Sequence, residues 1–206
     1  MKLGFDIDGI VANMGLAMVE HINNVFNLNH TMDVFVNHQI FNNTYVDDLE
    51  ENEKIAVSIY EDIIRNEDTL SVLKQHEDAV EAVRKLYKHG HSIHFITARA
   101  KDQHSATVSW LRKNLIPFNT VHSVGKNGRG GNIVGKGQQA RALNLDFFID
   151  DDPVNLPDFY RYKKRWRKGV ALFTRPWNAN ESIDESRFLR FDKWIEVIRH
   201  LGINKR

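Results

Sequence analysis

The sequence predicts an α/β fold: a parallel sheet joined by crossover helices, with a small helical insertion after the first strand. Three observations lead there. From residue 92 onward, short apolar runs that read as buried strands alternate with segments of helical spacing. Two of the apolar runs end in acidic clusters, Phe5-Asp6-Ile7-Asp8-Gly9 and Ile149-Asp150-Asp151-Asp152. Residues 14–75, between the first strand and the alternating region, carry no strand pattern.

The elements follow in order. Lys2 to Ile7 reads as a short buried strand that runs into a glycine turn. Met18, Ile22 and Val25 recur at helical spacing, so residues 15–27 are expected to be a helix. Residues 28–46 are rich in Asn and His and read as irregular. Asp47 or Asp48 can cap a longer helix whose stripe is Ile55, Ile59 and Ile63. Val80, Val83 and Tyr87 mark the next helix, ended by Gly90 in a left-handed position. Then come a strand at Ser92 to Thr97, a helix at Asp102 to Asn114 with Val108, Leu111 and Leu115 on one side, and a strand at Thr120 to Val124. A helix at Gly137 to Leu143 and strands at Asp146 to Ile149 and Val170 to Thr174 follow, and Trp194, Ile198 and Leu201 mark a final helix. Strands separated by helices imply parallel pairing. The expected division is a core of 1–13 and 76–206 with a helical cap of 14–75.

Composition narrows the function. A length of 206 residues with 42% hydrophobic content fits one globular domain, with or without a small insertion. The net charge of +1 calls for no polyanionic partner. The absence of cysteine excludes disulfides, thiolate metal sites and a thiol nucleophile. No apolar run approaches the roughly 20 residues of a membrane span, and a strand starting at Lys2 leaves no room for a signal peptide. A soluble, cytoplasmic protein is the expectation.

In parallel sheets the ligand sits beyond the carboxyl ends of the strands. Asp6, Asp8, Thr97 and Asp150 all fall at such ends. Asp6 and Asp8 can serve as nucleophile and general acid–base, or they are two solvated turn residues. Thr97 can hold a phosphoryl oxygen, or it is a β-branched strand residue capping the next helix. Lys136, just before a helix, can balance nearby carboxylates, with Lys113 and Lys126 as rivals. Asp150, Asp151 and Asp152 repel one another unless a cation is present, which favours a hard metal ion held by oxygens. The bland reading is an acidic capping loop.

Taken in order, DxDG on the first strand, hydrophobic-Thr on a second, Lys before a helix and DD on a later strand form the motif sequence of the haloacid dehalogenase (HAD) superfamily. The chain resembles its phosphatase branch over residues 1–13 and 76–175. The resemblance implies a Rossmann-like HAD fold and a Mg²⁺-dependent phosphomonoester hydrolase. In it Asp6 would form an aspartyl-phosphate, and Asp8 would protonate the leaving oxygen and then activate water. Thr97 would position the phosphoryl group and Lys136 would offset its charge. Mg²⁺ would bind Asp6, the backbone carbonyl of Asp8 and Asp150, with Asp151 nearby or acting through water. Asp-Ile-Asp-Gly-Ile-Val-Ala, the IDD-x-P form ending at Pro153, and Thr174-Arg175-Pro176-Trp177-Asn178 are similar to the 5′(3′)-deoxyribonucleotidase group. That implies a nucleoside monophosphate as substrate. Two features depart from the group: a longer, more Gly-rich segment from Asp102 to Lys136, and Ile10 where Thr or Val is more usual.

Specificity would come from the cap, where Phe26, Phe35, Phe41 and Tyr45 either stack on a base or pack the cap's own core. Arg99 and Arg175 could reach a phosphate or a base edge. Arg161 to Lys168 carries six cations in eight residues with two aromatics interleaved. It is either a solvated surface or a nucleic-acid contact, which leaves open a 3′-phosphatase acting on nucleic-acid ends. The acidic set is also compatible with a phosphatase of non-nucleotide metabolites and, least well, with a non-catalytic binding module. The glycines at 125, 128, 130, 131, 135 and 137, with Lys126, Arg129 and Lys136, either cradle an anion or form a loop.

Overall fold

The structure is a computed structural model that describes residues 1–125 and 135–203. Six strands form one parallel sheet: β1 (Lys2–Phe5), β2 (Ser92–Thr97), β3 (Thr120–Ser123), β4 (Phe147–Asp150), β5 (Gly169–Phe173) and β6 (Phe188–Phe191). Their spatial order is β3-β2-β1-β4-β5-β6. The order reverses between β1 and β4, and a crevice opens at such a switch point. The α/β class and the parallel sheet expected from the sequence are present.

Both faces of the sheet are buried, which is why its strands read as nearly continuous apolar runs. Leu3, Phe5, Phe147, Ile149, Ala171 and Phe173 face one hydrophobic cluster. That cluster is completed by α4 (Glu77–Lys88), α5 (His104–Lys113) and α8 (Trp194–His200), through Val80, Val83, Trp110, Leu111 and Val197. Phe148, Val170 and Leu172 face the other cluster, covered by α6 (Lys136–Ala142) and α7 (Leu156–Tyr162) through Ala140, Leu156 and Phe159. Gly4 makes room for this second face: a Cβ there would lie 2.3 Å from the Phe148 ring.

Between β1 and α4 the chain is helical, with α1 (Met14–Phe26), α2 (Leu49–Ser58) and α3 (Glu67–Val72). Asp48 caps α2 by accepting from the Glu51 amide at 2.8 Å. The helix then widens into a π-turn, Ile59–Ile64. Ile55, Ile59 and Ile63 are all buried, as their spacing predicts. Val19, Ile22, Phe35, Ile40, Tyr45, Ile55 and Ile59 form a separate cluster that also takes in Trp177. Ile63, Leu70 and Leu73 join the sheet's own cluster.

Several positions differ from the sequence reading. Val25 and Tyr87 are exposed; Val19 and Leu86 take the buried places on their helices. Leu115 lies beyond the end of α5 in a left-handed conformation and is exposed, so the helix buries Thr107, Trp110 and Leu111 instead. α3, α7 and β6 have no counterpart in the sequence pattern. β6 is a four-residue edge strand in which only Phe188 is buried, too short for a period-2 signal. No helix among the described residues is long and apolar enough to cross a membrane.

The basic run 161–168 ends α7 and leads into β5. Its Lys168 amide donates to the Asp146 carbonyl at 2.8 Å, and its Lys163 ammonium donates to the Leu145 carbonyl. Those carbonyls precede β4, so the run lies at the amino-terminal end of the sheet, away from Asp6 and Asp150. Lys126, Arg129 and the glycines at 128, 130 and 131 lie outside the described residues.

Candidate active site

The site grows from the register of β1 and β4. Phe5 pairs with Ile149, and the Asp6 amide donates to the Ile149 carbonyl at 3.0 Å. This sets Asp6 beside Asp150 at the switch point. Beyond Asp6 the chain curls: the Ile7 carbonyl accepts from the amides of Ile10, Val11 and Ala12. Ile7, Ile10, Val11 and Ala12 are fully buried, so apolar packing anchors a loop that carries two carboxylates. Gly9 makes the curl possible with φ +72; a Cβ there would lie 2.1 Å from Asp151 Oδ2.

Four groups meet at this end of the sheet. Lys136, the first residue of α6, places its ammonium 2.7 Å from Asp6 and 3.0 Å from Asp150. Asp150 also accepts from the Asp152 amide at 3.0 Å and from the Asn155 side chain. Asp151 accepts from Trp177 Nε1 at 2.9 Å. Asn178 fixes the Asp151 backbone by donating to its carbonyl at 2.7 Å. One oxygen each of Asp6, Asp150 and Asp151 falls within a common 4.8 Å.

One ammonium faces three carboxylates in a desolvated place, and the titration behaviour reflects it. Burial pushes Asp6 up to about 7, against the attraction of Lys136 and with the repulsion of Asp150 and Asp8. Burial, then Asp6 and Asp150, raise Asp151 well above the carboxylate range. Burial alone would lower Lys136, but Asp150 and Asp6 overcome it and hold the ammonium above its ordinary value. Asp6 Oδ1 and Asp151 Oδ1 are buried and accept no hydrogen bond. Excess negative charge, donors that are all oxygen and two unsatisfied carboxylate oxygens fit a hard divalent cation such as Mg²⁺.

Asp8 is turned to a different partner. Its two oxygens accept from Arg99 Nε at 2.9 Å and Arg99 Nη2 at 2.6 Å. Its carboxylate is not among the three clustered ones. Thr97 is fully buried at the end of β2, and its hydroxyl accepts from the Arg99 amide at 3.2 Å. Arg175 donates to the Gly9 carbonyl at 2.6 Å and stacks over the Phe173 ring at 4.6 Å. All three Arg99 guanidinium nitrogens are thus engaged by the protein itself, whereas Arg175 Nη2 is buried without a hydrogen-bond partner. Lys113 is exposed at the far end of α5.

Comparison with known proteins agrees with this geometry. The model of the family described as 5′ nucleotidase, deoxy (pyrimidine), cytosolic type C protein matches residues 1–205. The chain belongs to this nucleotidase family. A protein of Oceanobacillus iheyensis that bears the name of a nucleotidase is 30% identical over 202 residues, spanning 97% of this chain and 98% of its own. Among solved structures, a dehalogenase superposes with TM-score 0.63 at 12% identity, covering 98% of this chain and 97% of its own. A HAD-superfamily hydrolase of Ehrlichia chaffeensis gives TM-score 0.55 at 10% identity, covering 96% and 94%. These structures share the fold. This member of the nucleotidase family is a phosphatase, a phosphoric monoester hydrolase, on the fold of the HAD-superfamily hydrolase.

Several residues of this nucleotidase-family site carry no signal of their role in the sequence. Trp177 and Asn178 belong to the run Thr174-Arg175-Pro176-Trp177-Asn178, yet their bonds to Asp151 depend on a turn 26 and 27 residues downstream of it. His38, from the helical segment, lies 3.4 Å from Asp152 and 4.0 Å from Asp151. Nothing in its neighbourhood of Asn and Gln marks it. Phe35 and Tyr45 pack edge to face at 6.1 Å inside the segment's cluster, while Phe41 is half exposed.

Proposed function

We propose that this phosphatase hydrolyses nucleoside monophosphates with Mg²⁺ through an aspartyl-phosphate on Asp6. The observation that carries the reading is the buried group of Asp6, Asp150 and Asp151 around the Lys136 ammonium, with two carboxylate oxygens unsatisfied. Asp6, Asp150 and Asp151, with the Asp8 backbone carbonyl, would hold the ion. When bound, Mg²⁺ supplies charge neutralisation and orientation for the phosphoryl oxygens.

The protein's own groups do the rest. A carboxylate oxygen of Asp6 attacks phosphorus, and the bond to the leaving oxygen breaks with its electron pair going to that oxygen. Asp8 gives the oxygen its proton. Water then attacks the aspartyl-phosphate, Asp8 takes the water's proton, and inorganic phosphate leaves with Asp6 restored. Lys136 offsets charge on the phosphoryl group, and Thr97 holds one of its oxygens. Residues 14–75 form the cap that closes over the nucleoside, and His38 brings this segment to the acidic end.

The nucleotide assignment is supported by the family description and by the relative's name. The same description includes a cytosolic form, and a cytoplasmic setting is part of this proposal. A nucleic-acid end is less well supported, because the basic run stands at the opposite end of the sheet from Asp6. The test is phosphate release with and without Mg²⁺ across nucleoside monophosphates, sugar phosphates and a 3′-phosphorylated oligonucleotide. Release from nucleoside monophosphates that needs Mg²⁺ and is lost in Asp6→Asn is expected. Faster release from sugar phosphates would move the assignment to another small metabolite, and undiminished release by Asp6→Asn would remove the mechanism.

A further inference from the structure

A run of hydrogen bonds, buried at its middle and part-buried at its two ends, leads from the helical segment to the side chain of Asp8. Arg99 grips both Asp8 oxygens with Nε and Nη2, at 2.9 and 2.6 Å. Its remaining nitrogen, Nη1, donates to Thr107 Oγ1 at 3.1 Å. The Thr107 hydroxyl donates to the Gln103 carbonyl at 2.8 Å. The Gln103 side chain donates to the Ile64 carbonyl, at the end of the π-turn, again at 2.8 Å. Arg99, Thr107 and Gln103 are 5%, 0% and 2% exposed.

We propose that Arg99 is a positioning residue: its fork fixes the Asp8 carboxylate for proton transfer, and the chain behind it ties that orientation to the helical segment. This rests on the role of Asp8 proposed above. A planar fork that takes both oxygens along one edge removes the freedom of the carboxylate to rotate. The Asp8 side chain keeps 28% exposure, so its other edge stays open for the leaving oxygen. Arg99 is committed on three sides, to Asp8, to Thr107 and, through its amide, to Thr97, so it is built into the wall. A side chain that captured phosphate would need donors to spare.

Leaving-group dependence is the test. A nucleoside monophosphate expels an alkoxide that needs a proton; p-nitrophenyl phosphate expels a stable phenolate that does not. In Arg99→Lys, kcat for a nucleoside 5′-monophosphate is expected to fall about 10²-fold with KM unchanged, because a misplaced group costs about that much. With p-nitrophenyl phosphate the loss is expected to be only a few-fold. Thr107→Val, which removes one hydroxyl behind the guanidinium, is the milder variant and is expected to show the same contrast at smaller amplitude. A rise in KM for both substrates would make Arg99 a phosphate ligand and overturn the proposal. An equal fall in kcat for both, in the two variants alike, would reduce it to structural support. Asp8→Asn separates the two levels. If it lacks the contrast, the acid–base reading itself fails; if it has the contrast and the Arg99 and Thr107 variants lack it, only the positioning role fails.

Discussion

Lys136 holds Asp6 at 2.7 Å in a place where neither side chain is more than 8% exposed. The ammonium reaches Asp150 as well. It thus pairs directly with two of the three clustered carboxylates, while the pair at Asp151 is with His38 at 4.0 Å. Lys136→Met keeps most of the stem and removes the charge. Breaking a buried pair from one side costs about 3–5 kcal/mol, because the partner is left charged and dry. Denaturant unfolding of the metal-free variant is expected to show a loss of that order. Turnover is expected to fall about 10²- to 10³-fold, the range for losing a fixed charge that faces the transition state. Wild-type turnover in the variant would refute the assignment.

The raised proton affinity of Asp6 makes metal-free stability depend on pH. The folded group titrates at about 7, against the ordinary 3.8. Between those values the folded state holds a proton that the unfolded chain has lost. The contribution is therefore fully present below about pH 4 and disappears as pH rises through 7; it is on the order of 4 kcal/mol. His76 acts in the opposite sense, since burial and Arg175 push it down to about 3. Its effect cancels in the difference between wild type and Asp6→Asn. In a chelator, melting curves from pH 4 to 8 are expected to show wild type losing stability relative to the variant as pH rises. Saturating Mg²⁺ is expected to abolish that difference. A difference that is flat with pH in the chelator would show that Asp6 is ionised throughout.

Gly9 and Asp151 come from ends of the sequence far apart and touch at the site. Gly9→Ala meets two obstacles: φ +72, and a Cβ position 2.1 Å from Asp151 Oδ2. The positive φ alone costs an L-residue about 1 kcal/mol or more. The clash falls on a carboxylate proposed to hold the ion, so relief by moving Asp151 would spoil the site. The variant is expected to melt several degrees lower and to need more Mg²⁺ for half-maximal activity. A variant with a lower melting temperature and an unchanged Mg²⁺ requirement would detach Gly9 from the metal site.

The chemistry is legible in this sequence because it sits where buried strands end. Asp6 and Asp150 follow apolar runs whose burial on both faces marks them as strands of a parallel sheet, and the pairing of β1 with β4 brings the two ends together. Lys136 is one of three candidate lysines until the start of α6 sets it between those two acids. The partners of Asp8 and Asp151 are not legible in the same way. Arg99 stands two residues past the strand end and could point at substrate or at protein; its burial, with Thr107 one helical turn along α5, decides the matter. β6 and α3 are hidden because short, half-exposed elements have too few residues for periodicity to show.

Trp177 links the ion site to the helical segment. Its indole nitrogen donates to Asp151 Oδ2 at 2.9 Å, while its ring packs with Val19, Ile22 and Phe35. Trp177→Phe keeps an apolar ring in that cluster and deletes the donor. Asp151 then has neither oxygen satisfied by Trp177, since Oδ1 already accepts nothing. Leaving such a group bare costs about 1–3 kcal/mol in the metal-free protein. Loss of an outer-shell partner also weakens metal binding by about 10- to 100-fold. Both effects are read in one titration: melting temperature against Mg²⁺ concentration, where bound ion stabilises by mass action. The variant is expected to start lower and to rise at a higher Mg²⁺ concentration than wild type. A curve lowered uniformly, with its midpoint in place, would mean that Trp177 serves the packing of the segment and leaves the orientation of Asp151 to Asn178.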